Sequence, residues 1–204
     1  MKLAICIPSR DNVPIGFARS LANLTASLTQ SDIDYDLKIM LGSVIPDLRM
    51  NLAYDSLDSD YILWLDSDMH FPSYTFEKLR SHNKDIVAAT YSTRYKPQRS
   101  VAFMDQYNVD SRLDQQHGLH EVFAVGMGCM LVRTAILKKI PEPWFKFEWN
   151  TDTKNYSGED MFFCKIAIDH GYQIFVDADL SNDLAHYGTK AYLIGETDEY
   201  RNKI

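Results

Sequence analysis

The sequence predicts an α/β fold in which a mostly parallel central sheet is flanked by helices. Three observations point there. Short apolar runs alternate with longer helical segments through the first half of the chain, and a βαβαβαβ order joins parallel strands through crossover helices. The apolar runs close on Pro, Gly or Asp, residues that end strands or begin turns. Finally, 204 residues with 46% hydrophobic content suit one core of useful size, so residues 1–204 are read as a single domain.

In chain order, residues 3–7 form a strand stopped by Pro8. Pro14 sits in the first turn of a helix running to about Gln30, with Ala18, Leu21, Ala22, Thr25 and Leu28 on one stripe. Residues 37–41 form a second strand ended by Gly42, residues 46–57 a second helix and residues 61–65 a third strand. Ser73 is expected to cap a helix through His82, and residues 86–90 form another strand. From 91 to 120 the pattern weakens. "STRYKPQRS" is basic and polar and "DQYNVDSRLDQQHG" is turn-rich, which fits a flap or an insertion of short strands. Residues 121–125 and 129–132 are apolar again, separated by "GMG"; residues 134–139 form a short helix, and "PEPWFKFEWN" is aromatic and irregular. Gly158 introduces a helix over 159–170 that Gly171 ends, and residues 172–176 form a late strand. The tail, 189–204, carries weak signals and is expected to be mobile.

Charge and cysteine usage narrow the function classes. A net charge of −7 and a pI near 5.3 leave no basic footprint for nucleic acid. A phosphate ester remains accessible to such a protein if a divalent cation bridges the two. Cys6, Cys129 and Cys164 show no CxxC spacing and read as reduced, buried thiols, which favours the cytoplasm. "MKLAICIP" reads as a first strand rather than a signal peptide, and no apolar run approaches membrane length, which leaves peripheral contact as the open membrane option.

Four constellations carry chemistry. In "DYILWLDSDMHFP" a buried-looking strand ends in Asp66-Ser67-Asp68. Residues two apart in extended chain share a side, so two carboxylates face one spot past a strand's C-terminal end, where open α/β sheets bind ligands. Hard oxygen ligands suit Mg²⁺ or Mn²⁺. Taken alone, a solvated Asp-Ser turn explains the motif equally well. In "SGEDMFFC", Ser157 and Asp160 fit a variant capping box, the stronger reading for the motif in isolation. Gly158 would also allow close backbone approach to a ligand, with Glu159 holding a hydroxyl and Asp160 removing its proton. His186 in "DLAHYG" lies just beyond the late strand; a lone histidine is more often hydrogen-bonded than a ligand, but could complete a carboxylate site. "IPSRD" puts Pro8, Ser9, Arg10 and Asp11 after the first strand, where Asp11 or Asn12 could equally cap the next helix. Arg49, in the early turns of the second helix, could reach a phosphate or lie exposed. Loops after the first and third strands open at the same edge of a parallel sheet, so Ser9, Arg10, Asp66 and Asp68 can converge.

The pieces "AICIPSRD", "LRMNLAYDSLDSDYILWLDSDMHFP", "VGMGCMLVRTAIL", "PWF", "GEDMFFC" and "AHYG", in that order from residue 3 to about 188, resemble the GT-A fold glycosyltransferases. The likeness is to small family-2-like members of the kind also found in viruses, phages and bacteria. The resemblance implies a Rossmann-like nucleotide-diphospho-sugar transferase fold and metal-dependent sugar transfer to a hydroxyl acceptor such as a glycan. It implies that Asp66 and Ser67 lie near the ribose and diphosphate of a nucleotide-sugar donor, and that Asp68, Asp66 and His186 hold Mn²⁺ or Mg²⁺. Pro8, Ser9, Arg10 and Asp11 would line the nucleoside pocket, with Arg49 on its nucleotide side. Gly128 and Cys129 would border the donor sugar and acceptor. Asp160 would be the base of an inverting reaction, kept ionised by a helix N-terminus, and Glu159 would hold the donor sugar or acceptor. UDP is expected on family frequency. The stretch 91–120 matches no pattern of the family.

Two other readings compete. A haloacid-dehalogenase-like Mg²⁺-dependent phosphohydrolase also ends an apolar strand in DxD, but its motif normally follows the first strand, with Thr or Val four residues after the first aspartate. Here the motif follows the third strand and that position is His70. A non-catalytic nucleotide-sugar-binding module is the second; the joint presence of Asp68, Asp160 and His186 argues against it.

Overall fold

The computed structural model describes residues 1–105, 108, 110–151 and 154–188. The first half alternates as expected: β1 (Lys2–Ser9), α1 (Ile15–Gln30), β2 (Asp34–Leu41), α2 (Ile45–Tyr54), β3 (Tyr61–Leu65), β4 (Met69–His70), α3 (Thr75–Ser81) and β5 (Ile86–Ala88). Short strands follow: β6 (Ala102–Phe103), β7 (Leu119–Val122), β8 (Ala124–Val125) and β9 (Cys129–Arg133). After a 3₁₀ turn at Thr134–Ile136 come the hairpin β10 (Glu148–Asn150) and β11 (Asn155–Ser157), then α4 (Glu159–Asp169), β12 (Ile174–Asp177), α5 (Ala178–Ser181) and β13 (Ala185–His186).

Seven strands form the main sheet in the order β2-β1-β3-β9-β5-β12-β7. Five of them (β2, β1, β3, β5 and β12) point the same way, and β9 and β7 run against them. The shared direction gathers the C-terminal ends of β1, β3 and β5 at one edge. Because β9 is antiparallel to β3 with Leu65 opposite Cys129, the turn before β9 also meets that edge.

Strand alternation builds two cores, one on each face. Ala4 and Cys6 of β1 and Ile62 and Trp64 of β3 join one cluster with Phe145, Phe163 and Ala167. Leu3, Ile5 and Ile7, with Leu63 and Leu65, join the other with Phe17, Phe71 and Phe76. Trp64 and Phe163 both contact Phe145, the first edge-on at 5.5 Å, the second stacked at 5.4 Å. Each fully buried side chain of this size contributes roughly 1.5–3 kcal/mol. The three cysteines are free and buried, as expected. No helix among the described residues is long and apolar enough to cross a membrane.

Several local expectations are corrected. α1 buries Phe17, Ser20, Leu24 and Leu28. The stripe through Ala18, Leu21, Ala22 and Thr25 lies to one side of that face, because Phe17 and Leu24 remove more apolar area from water than the alanines can. β2 begins at Asp34 and is an edge strand, with Ile39 and Leu41 exposed. α2 ends at Tyr54 rather than near 57. Ser73 does not cap α3. Tyr74 occupies the cap position without a side-chain bond, and Thr75 Oγ1 donates to the Pro72 carbonyl at 2.7 Å. The stretch 91–120 does contain short strands, tied by bridges Ser92–Ser100 and Phe103–Arg112. The expectation of a mobile tail over 189–204 lies outside the described residues.

Candidate active site

β3 is apolar to its last residue, and the chain leaves the sheet at Asp66. The Asp66 amide donates to the Gly128 carbonyl at 3.0 Å, and its own carbonyl accepts from Met69 at 3.2 Å, closing a turn that presents Ser67 and Asp68. β4 then pairs antiparallel with β13, placing His186 opposite Met69. Tyr187 N donates to the Asp68 carbonyl at 2.8 Å. This small two-stranded sheet is what carries His186, from the far end of the described chain, to Asp68.

His186 Nε2 lies 3.4 Å from Asp68 Oδ2, while Nδ1 is 3.0 Å from the Ser92 carbonyl. A carbonyl only accepts, so Nδ1 carries a proton, and Nε2, which faces Asp68, is the nitrogen that can serve as a ligand when the ring is neutral. The Tyr91 ring packs edge-on against the imidazole at 4.9 Å. Arg94 Nη1 donates to the same Asp68 oxygen at 2.8 Å and to the Tyr187 carbonyl at 3.2 Å. Partial burial opposes the Asp68 charge, but His186 and Arg94 outweigh it and hold the carboxyl below its ordinary range. Burial likewise disfavours imidazolium, and Asp68 reverses that, raising His186.

A second cluster joins the two acidic motifs. Arg49 of α2 is fully enclosed. Its Nη2 donates to Asp66 Oδ1 at 2.7 Å and its Nε to Glu159 Oε1 at 3.0 Å, with the guanidinium 5.5 Å from the centre of the Trp64 ring. Burial works against its charge, and Asp66 and Glu159 overcome it. Arg49 Nη1 has no hydrogen-bond partner among the described residues. Glu159 opens α4 beside Asp160. The expected capping box is absent: Gly158 is the cap residue, Ser157 makes no capping bond, and Asp160 Oδ1 accepts from Met161 N at 2.8 Å. A side chain at 158 would put its Cβ 2.5 Å from Asp160 Oδ1, so glycine there leaves room for the carboxylate. Burial, followed by the Glu159 charge, pushes Asp160 up to about 6. The helix N-terminus favours the ionised form and burial opposes it; the outcome is a carboxyl that ionises above about 6.

A cleft of about 840 Å³ opens at this edge. Pro8, Ser9, Arg10 and Asp11 line it, as do Arg49, Asp66, Ser67, Asp68 and Glu159. Arg94, Phe147 and Tyr187 also line it and were missed in the sequence. Arg94 had a signal: its basic stretch follows β5, a strand sharing the β3 direction, so its loop opens at the same edge. His186 and Asp160 stand behind the lining, touching Asp68 and adjoining Glu159. Gly128 packs under Tyr91, which accepts its amide at 3.2 Å and would meet a Cβ at 2.8 Å. Cys129 does not border the cleft. It faces the same core as Leu65, and burial raises its thiol to about 12.

The expected three-ligand set is only partly assembled. Among the described residues no three His, Cys, Asp or Glu side chains form a metal-holding group. Asp66 is turned to Arg49, so the pair that converges is Asp68 with His186. That pair still fits Mn²⁺ or Mg²⁺: a carboxylate oxygen that already attracts the Arg94 guanidinium is a hard anionic ligand, and the His186 imidazole nitrogen stands 3.4 Å from it. These ions commonly take one or two protein ligands, with phosphate and water completing the shell.

No protein-family model matches the chain, and no curated protein sequence matches it. Solved structures do. A197 from STIV is 18% identical over 95% of this chain and 98% of that one, with a TM-score of 0.59. A Drosophila β-1,4-galactosyltransferase 7 mutant in complex with manganese, UDP-Gal and xylobiose is 15% identical over 98% of this chain and 79% of that one, with a TM-score of 0.57. GalNAc-T7 with UDP, GalNAc and Mn²⁺ is 7% identical, with a TM-score of 0.57; the match covers 91% of this chain and 44% of that one. With these likenesses and the mixed sheet described above, the chain has a GT-A-like, Rossmann-type α/β fold.

Proposed function

We propose that the protein is a glycosyltransferase that moves a sugar from a nucleoside-diphosphate sugar, UDP by preference, to a hydroxyl of a glycan or other acceptor, with Mn²⁺ or Mg²⁺ as cofactor. The observation that carries this reading is the meeting of Asp68 and His186 at the cleft into which the loops after β1 and β3 open. The likeness to galactosyltransferase and GalNAc-T7 structures that contain manganese and uridine nucleotides supports it.

Each part of the cleft then has a task. Pro8, Ser9, Arg10 and Asp11 receive the nucleoside. Asp68 and His186 hold the cation, which supplies positive charge to the departing diphosphate. Glu159, fixed by Arg49, accepts a hydroxyl of the donor sugar or the acceptor. Asp160 takes the proton from the attacking hydroxyl on the face opposite the leaving group, inverting the anomeric carbon. A carboxylate with a pKa of about 6 is mostly ionised at neutral pH and is a stronger base than an ordinary aspartate, which suits that step.

The test is a panel of nucleotide sugars incubated with the protein and Mn²⁺, with free nucleoside diphosphate as the readout. Release that requires the cation and increases with a sugar acceptor is expected. Turnover of a generic phosphate monoester without release from any nucleotide sugar would favour the phosphohydrolase reading. Nucleotide binding with no turnover of either would favour a binding module.

A further inference from the structure

We propose that Arg94 stands in for the cation in the ligand-free protein, and that it leaves Asp68 for the diphosphate when a nucleotide sugar enters, so that nucleotide and metal ion bind cooperatively. This rests on the cleft being a nucleotide-sugar site. The geometry supplies the argument. Asp68 Oδ2 is the oxygen nearest His186, and it is also the oxygen to which Arg94 Nη1 donates. A guanidinium and a divalent cation at that oxygen repel each other and compete for its lone pairs, so each weakens the hold of the other.

The two cleft arginines tied to the DxD motif differ in freedom. Arg49 is 2% exposed and fixed by two carboxylates, whereas Arg94 is 52% exposed and its ionic partner Asp68 is 32% exposed. An exposed ion pair of this kind contributes little, so exchanging it for another anion costs little. Arg94 also belongs to a narrow excursion outside the main sheet. The segment is closed by Thr93 N donating to the Arg99 carbonyl at 2.9 Å and Val101 N to the Tyr91 carbonyl at 3.0 Å. A diphosphate offers a guanidinium more charge and a bidentate partner than one carboxylate oxygen does. When the nucleotide draws Arg94 away, Asp68 Oδ2 becomes available to the cation. By linkage, a bound cation must strengthen nucleotide binding by the same factor.

The experiment titrates Mn²⁺ into ligand-free protein, then into protein saturated with UDP, following free Mn²⁺ by its paramagnetic resonance signal. In the native sequence UDP is expected to tighten Mn²⁺ binding strongly. Arg94→Gln should bind Mn²⁺ roughly tenfold more tightly without nucleotide and show a smaller enhancement by UDP, within the usual range of site-to-site coupling. Arg99→Gln, on the same segment but not lining the cleft, should behave like the native protein. If Arg94→Gln keeps native Mn²⁺ affinity and native enhancement, or binds Mn²⁺ alone more weakly, the exchange is refuted while the cleft reading stands. If native protein takes up neither Mn²⁺ nor UDP, the cleft reading fails and the exchange with it.

Discussion

Asp66 and Asp68 leave the same strand end two residues apart, yet their surroundings differ. Asp66 meets an arginine sealed under Trp64 and shared with Glu159. Asp68 meets a half-exposed arginine and a histidine delivered by a two-residue strand. The difference separates a fixed carboxylate from an exchangeable one. Arg49 is buried, so loss of either partner leaves a buried charge uncompensated, and the Asp66–Arg49–Glu159 triad ties the two acidic motifs together. Around Asp68 water and ions can replace Arg94 at little cost, as a binding site requires.

Removing the buried partner should break this contrast most severely. Arg49→Ala leaves Asp66 and Glu159 uncompensated and should cost about 3–5 kcal/mol, read from urea unfolding. Asp160→Asn should come next. We expect turnover to fall by roughly 10²–10⁴ with UDP affinity unchanged, the usual scale for losing a general base. In the native protein the rate should rise with pH as Asp160 loses its proton near about 6, since the base is the deprotonated form. Stability has the opposite sign. A carboxyl whose pKa is raised on folding contributes fully below its unfolded pKa and loses that contribution as pH rises through about 6. Asp160→Asn should therefore melt no lower than the native protein at pH 8. Asp68→Ala should have the smallest effect on stability, within about 1 kcal/mol, because its arginine partner is exposed. Equal destabilisation by Arg49→Ala and Asp68→Ala would erase the distinction between the two aspartates.

Local pattern revealed much of this arrangement. β3 was legible to the residue because a buried strand shows an unbroken apolar run ending in charge. Ser9, Arg10, Asp66 and Asp68 were placed together by the rule that parallel strands open at one edge, and the cleft brings them together. Long-range pairing was not legible. Nothing near Arg49 says that it joins Asp66 to Glu159, which lies 110 residues further along the chain than Arg49. Nothing near Cys129 says which of the two cores its side chain enters, and a one-residue difference decides that. The α1 stripe failed for a related reason: two apolar faces competed, and the sheet selected the one bearing Phe17 and Leu24.

The most direct measurement is a calorimetric titration of UDP into the native protein and into Asp68→Ala, each with and without Mn²⁺. The account predicts that Mn²⁺ tightens UDP binding to the native protein and leaves binding to Asp68→Ala unchanged. Equal tightening in both proteins, or none in the native one, would contradict it.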